Sequence, residues 1–121
     1  MERDENYERD AMLTTTRDFQ PGTSVVIALK GSGSRAGEHR PVQAEVYGQW
    51  AVHHALNATA YGGYTVSHVP SGCAALTGRT LESARWLAEL LHARVPAFDA
   101  TKTPEWNKAA PIIRKLVLRC P

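Results

Sequence analysis

Apolar and polar residues alternate along the middle of the chain with the period of two that is typical of half-buried β-strands. Thr23–Lys30 is β-branched and continuously apolar at its centre, which predicts a buried strand. Pro41–Leu56 predicts a long second strand with a bend or bulge at Gly48. Tyr64–Pro70 and Cys73–Leu76 predict two shorter strands. We expect these four strands to form one antiparallel sheet.

The apolar spacing becomes helical after the last predicted strand. Thr80 is a favourable N-cap for a long helix that Pro96 closes. Its apolar stripe contains Leu81, Ala84, Leu87, Ala88, Leu91 and Val95. A second helical segment begins near Thr103, and Pro111 is expected either to kink it or to divide it. The sequence therefore predicts an α+β fold of order β-β-β-β-α-α, with about four strands, one long helix and one Pro-interrupted helix. The helices should cover one face of the sheet and leave the other face open or dimerised.

Composition and charge divide the chain into two parts. The 121 residues suffice for one domain. The first ten carry five acidic and two basic residues, whereas the remaining residues carry seven acidic and twelve basic ones. We therefore predict a flexible acidic leader over residues 1–20 and a single α+β domain over residues 21–121. Because no signal peptide or membrane span is recognisable and the chain has two cysteines, we expect a cytoplasmic protein with reduced thiols and no membrane partner.

A basic, glycine-rich loop separates the first two predicted strands. Its residues Gly31–Ala36 have the spacing of a dinucleotide-binding motif, but Pro41 prevents the helix that this motif requires, so we reject it. The loop instead predicts the exposed tip of a long hairpin, where Arg35, His39 and Arg40 can contact a partner.

The leading hypothesis is a small non-enzymatic binding protein, of the inhibitor or adaptor type, that acts through this hairpin tip and an exposed sheet face. The expected partner is a macromolecule, protein rather than nucleic acid because the charge excess is modest, and a homodimer through the sheet is also considered. The alternative is single-stranded nucleic-acid binding, with aromatic side chains stacking on bases and cations following the phosphates. The candidate binding residues are Arg35, His39, Arg40, Tyr47, Tyr61, Tyr64, Lys108, Lys115 and Arg119.

Histidines on the second predicted hairpin raise a further alternative, a metal-dependent enzyme or module. A turn centred near residue 60 would pair Val52 with His68, which places His54 and His68 diagonally on one face. A shift of one residue would bring His53 opposite His68 instead. With Cys73 as a third ligand, this face could hold zinc. No recognised catalytic or metal-binding motif occurs, so the sequence predicts no catalytic residue and no cofactor apart from this zinc.

Overall fold

The computed structural model describes residues 19–30, 37–54 and 63–121. Within these ranges, five strands are followed by two helices: β1 (Thr23–Lys30), β2 (His39–Tyr47), β3 (Trp50–His54), β4 (Tyr64–His68), β5 (Ala74–Arg79), α1 (Leu81–Arg94) and α2 (Thr103–Arg119). The strands form one antiparallel sheet in the order β1-β2-β3-β4-β5. The predicted α+β class is confirmed. Residues 1–18, most of the predicted leader, lie outside the described residues.

The fifth strand arises because the predicted strand Pro41–Leu56 is a hairpin. Gly48 and Gln49 form a two-residue turn that brings Tyr47 opposite Trp50. Gly48 has a φ of +62°, a conformation that glycine adopts without the steric penalty of other residues. Two-residue turns with positive φ match the twist of the strands that they join. The bend predicted at Gly48 is therefore a complete reversal of the chain.

One face of the sheet packs against both helices. Tyr47, Trp50, Val52 and Val66 supply its buried side chains from the strands. The helices contribute Ala84, Leu87, Ala88, Leu91, Ala109, Ile113 and Leu116 to the same core. Thr80 caps α1 as predicted, because its hydroxyl accepts a hydrogen bond from the Ser83 backbone N–H at 3.1 Å.

The second helix is continuous. Although Pro111 lies inside α2, the helix runs from Thr103 to Arg119 without interruption, and Pro111 itself is exposed. A proline at an exposed helical position removes one backbone hydrogen bond while keeping its ring in solvent. Of the two outcomes considered for Pro111, division of the helix is not observed.

The opposite face of the sheet is buried too. Its core consists of Ile27, Leu29, Val42, Ala44, Val46, Ala51 and Val69. Lys30 and His39 pair at the end of the β1–β2 hairpin that is distant from Tyr47. The Lys30 carbonyl oxygen nevertheless lies against Gly72, which follows β4. The β1–β2 hairpin therefore curves across this face, which hides its apolar side chains. The open face predicted from the sequence is not found in the described part of the sheet.

Candidate binding groove

The histidine pair proposed as a zinc site is not assembled. Trp50 pairs with His68 and His54 pairs with Tyr64, so the predicted pairing of His68 with Val52 is wrong by two residues. His54 and His68 share a face, but four residues separate them along the strands, which corresponds to about 13 Å. Among the residues described, no three His, Cys, Asp or Glu side chains are grouped closely enough to hold a metal ion. Cys73 is a free, exposed cysteine.

His53 lies on the opposite face and is almost completely buried. Its Nδ1–H donates to the His54 carbonyl oxygen at 2.7 Å, and its Nε2 accepts from the Ser67 hydroxyl at 2.8 Å. Burial lowers the pKa of His53, which favours the neutral ring that these two hydrogen bonds require. His53 is therefore a satisfied core residue.

The buried His68 ring joins two turns and the end of α1 through a partly buried hydrogen-bond network. Its Nε2–H donates to Gln49 Oε1 and its Nδ1 accepts from the Ser71 hydroxyl, each at 2.8 Å. The Gln49 amide nitrogen donates in turn to the carbonyl oxygens of Val95 and Pro96, which follow α1. Burial lowers the pKa of His68 to about 4, so the ring is neutral near pH 7. The network fixes the β2–β3 turn, the β4–β5 turn and the end of α1 relative to one another.

The order serine, histidine and glutamine resembles that of a nucleophile, a base and a group that orients the base. Two features of the His68 network favour a structural role instead. A pKa of about 4 makes His68 a weak base near neutral pH. The Gln49 amide carries no charge, so it cannot stabilise an imidazolium as a carboxylate does. The Ser71 hydroxyl also accepts the Cys73 backbone N–H at 3.2 Å, which holds the β4–β5 turn.

Aromatic rings extend this network into the floor of a groove. The His68 ring stacks on Phe98, with ring centroids 4.4 Å apart and planes 10° apart. Trp50 tilts against His68 at 5.0 Å, and Phe98 contacts Trp106 of α2 at 6.1 Å. Trp50 Nε1 is buried and has no hydrogen-bond partner among the described residues. The floor is therefore aromatic and rigid, with one unsatisfied donor.

The groove above this floor lies between the start of β5 and α2 and has a volume of about 420 Å³. One wall contains Cys73, Ala74 and Ala75, and the other contains α2 residues that include Val117 and Leu118. Leu118 is 85% exposed. A mainly apolar concavity of this size is typical of ligand and partner sites in proteins. The groove is the candidate functional site.

The second helix, α2, supplies a charged side chain to the groove. Arg114 is the charged side chain that lines it in the described part of the chain. The predicted binding residues Lys108, Lys115 and Arg119 are exposed, and their spacing puts them together on a side of α2 away from Val117. The structure therefore keeps those three cations together but places Arg114 nearer the apolar floor.

The hairpin residues that flank the predicted tip lie near the groove. His39 and Arg40 are exposed residues at the start of β2, and Arg35 lies outside the described residues. His39 pairs with Lys30, whose carbonyl oxygen touches Gly72 between two groove residues. The predicted hairpin surface and the groove are therefore neighbours.

The tyrosines proposed to stack on bases are not arranged as a platform. Tyr47 is 4% exposed, and its hydroxyl donates to Glu45 at 3.1 Å. Burial raises the pKa of Tyr47 to about 12. Arg85 forms two hydrogen bonds with the Glu45 carboxylate and thereby lowers the pKa of Glu45. Tyr64 is half-buried against His54, with ring centroids 4.3 Å apart, and Tyr61 lies outside the described residues. The prediction that Tyr47 contacts a partner is corrected, because its side chain belongs to the core.

Sequence reasoning missed the groove residues Phe98, Trp106 and Leu118. One signal was present: Leu116–Leu118 is a continuous apolar run, which is wider than one buried helical stripe needs. Neither described helix has the length and apolar composition that a membrane span requires. Comparisons with protein-family models, with curated proteins and with solved structures found no match to this chain, so its site is interpreted from its own geometry.

Proposed function

We propose that this chain is a small non-enzymatic binding protein that holds an apolar segment of another protein in the groove between β5 and α2. The observation that carries the proposal is the 85% exposure of Leu118 on the wall of an apolar groove of about 420 Å³. Leu118 is continuous with the mainly apolar lining of the groove, and a contiguous exposed apolar surface marks protein-interaction sites.

The floor of the groove supports the proposal because it is already ordered. The His68 ring is held by two hydrogen bonds and stacked on Phe98. A surface that does not have to become ordered loses less conformational entropy when a partner binds. An inserted apolar side chain therefore retains more of the free energy gained by leaving water.

A protein partner has more support than a single-stranded nucleic acid. Tyr47 and Trp50 lie on the sheet face that the helices cover, so they cannot stack on bases. Trp106, an exposed aromatic ring that lines the groove, lies beside the Phe98 ring and aliphatic side chains. We also propose a cytoplasmic location, because an exposed thiol such as that of Cys73 stays reduced there.

The experiment is a selection of random 12-residue peptides, displayed on phage, against the immobilised full-length chain. Binding of the selected peptides is then measured by fluorescence anisotropy with the wild type and two variants. Leu118→Ser removes the exposed wall of the groove. Val26→Ser is the matched control, because Val26 is also an exposed apolar residue but lies on β1.

We expect the selected peptides to bind the wild type and Val26→Ser equally. Leu118→Ser should weaken binding at least about tenfold, since burial of a leucine side chain contributes roughly 1.5–3 kcal/mol. Peptides that bind all three proteins equally, or a selection that yields none, would refute the proposal. Dimerisation of the wild type that Leu118→Ser abolishes would identify a second copy as the occupant and refute it as well.

A further inference from the structure

The helix that forms one wall of the groove has an uncompensated positive charge. From Trp106 to the end of the sequence printed here it carries Lys108, Arg114, Lys115 and Arg119, and that stretch contains no acidic residue. None of these four cations forms an ion pair within the described part of the chain. Of these four cations, Arg114 lines the groove, whereas Lys108, Lys115 and Arg119 lie on the outer side of the same helix.

The two acidic residues that precede this stretch are already engaged. Asp99 accepts hydrogen bonds from the Thr101 backbone N–H at 2.9 Å and from the Thr101 hydroxyl at 2.6 Å. Glu105 accepts the Asp99 backbone N–H at 3.2 Å and lies 3.9 Å from the Lys102 ammonium. Glu105 pairs with Lys102, and Asp99 interacts electrostatically with Lys102 and Lys30, so neither carboxylate is paired with Arg114.

Further positive charge lies on the end of the β1–β2 hairpin that packs beside Gly72. Lys30 and Arg40 are exposed near the end of the β1–β2 hairpin, and the Lys30 backbone contacts Gly72 beside the groove. A partner in the groove therefore lies against Arg114, with the end of the basic hairpin nearby. Such a surface repels a basic segment and attracts an acidic one before contact is made.

From this charge pattern we infer that the occupant of the groove is an acidic peptide segment, in which Asp or Glu residues flank an apolar anchor and one carboxylate pairs with Arg114. This inference rests on the proposed function and adds the partner's chemistry to it. A guanidinium can bind a carboxylate through two parallel hydrogen bonds, and Arg114 lines the groove. The occupant is thus defined by two features, an apolar side chain and an adjacent negative charge.

The test begins with the composition of the peptides selected on the full-length chain. The strongest peptide is then synthesised in two forms, as selected and with every Asp and Glu replaced by Asn and Gln. Both forms are titrated against the wild type, Arg114→Gln and Lys108→Gln at 50 mM and 500 mM salt. Lys108→Gln is the matched control, because it removes the same charge from the same helix on its outer side.

We expect acidic residues to be enriched beside the anchor. The amide form should bind the wild type and Lys108→Gln roughly three- to tenfold more weakly than the acidic form at 50 mM salt. Arg114→Gln should bind the two forms nearly equally, and 500 mM salt should reduce the difference for the wild type.

Each contrary outcome separates this inference from the proposed function. Groove-dependent peptides without acidic enrichment, or with equal binding of the two forms, would overturn the acidic partner and leave the binding function intact. Peptides that ignore Leu118→Ser would overturn both. Labelled oligothymidylate that binds the wild type, loses affinity in Arg114→Gln and ignores Leu118→Ser would replace the acidic peptide by a nucleic acid.

Discussion

The buried His68 makes a specific prediction about acid stability. The ring is 3% exposed and uses Nδ1 as an acceptor and Nε2–H as a donor, so the folded protein holds it in the neutral form. Below its ordinary pKa of 6.5 the unfolded chain binds a proton at this position, whereas the folded chain does so only near its lowered pKa of about 4. Stability should therefore fall as the pH falls from 6.5 to 4, and His68 should cause no loss above 6.5.

The size of this loss follows from the pKa difference. A lowering of the pKa from 6.5 to about 4 corresponds to roughly 3 kcal/mol of stability. This stability is lost progressively as the pH falls from 6.5 to 4. Even part of this free energy is a large fraction of the stability of a small domain. His53, whose pKa burial also lowers, adds to the same acid loss. The wild type should consequently become marginal near pH 4.

Urea unfolding at pH values from 7.5 to 4, followed by tryptophan fluorescence, measures this dependence. His68→Gln removes the titrating ring and two hydrogen bonds, so it should be about 1–3 kcal/mol less stable than the wild type at pH 7.5. The difference should shrink towards zero at pH 4, because only the wild type incurs the cost of the neutral His68 ring. His39→Gln, at an exposed position, controls for the loss of a histidine as such. Parallel curves for the wild type and His68→Gln would refute the reasoning.

Three further outcomes test particular contacts of the fold. In urea unfolding, Gly72→Ala should lose at least about 2 kcal/mol more stability than Gly78→Ala. Both glycines have positive φ, but of the two only Gly72 has a carbonyl oxygen with which a Cβ would collide. Equal losses would contradict the close approach. Ser67→Ala should cost about 1–2 kcal/mol, because it leaves the buried Nε2 of His53 without a donor. A spectrophotometric titration should show one tyrosine ionising near pH 12 that is missing in Tyr47→Phe.

The alternation of apolar residues predicted the faces of the sheet but not its number of strands. A bulge at Gly48 and a two-residue turn at Gly48 and Gln49 both place Tyr47 and Trp50 on the same face. The hydrophobic pattern is identical in the two cases, so it cannot separate them. The turn is selected by the pairing of Tyr47 with Trp50, which is a contact between strands rather than a property of either strand.

The same argument explains the failed zinc site. A shift of the strand register by two residues keeps His54 and His68 on the same face, so alternation assigns them to one face in either register. Their separation depends on the register itself, and the structure shifts the predicted pairing by two residues. The distance between two side chains on adjacent strands therefore needs information that a single-sequence pattern does not contain.

The groove could not be predicted because it depends on how α2 crosses the end of β5. The sequence did predict an apolar face on this helix, with Lys108, Lys115 and Arg119 together on its outer side. Only the fold shows that one part of the apolar surface, at Val117 and Leu118, faces a concavity instead of the core. Both the groove and the distance between the histidines depend on how elements pack or pair in the folded chain, which the pattern of a single sequence does not contain.

The contact at Gly72 connects the sequence-based hypothesis with the structural one. The sequence indicated a basic hairpin end as the binding surface. The structure indicates an apolar groove, which is built mainly from residues much later in the chain. Because the Lys30 carbonyl oxygen packs on Gly72, and because Ser71 and Cys73 on either side line the groove, the hairpin end is held beside it. A substitution at Gly72 should therefore weaken peptide binding as well as stability, whereas Gly78→Ala should cost less stability and leave peptide binding unchanged. The physical reason is that one backbone contact positions the cations of the hairpin relative to the apolar floor.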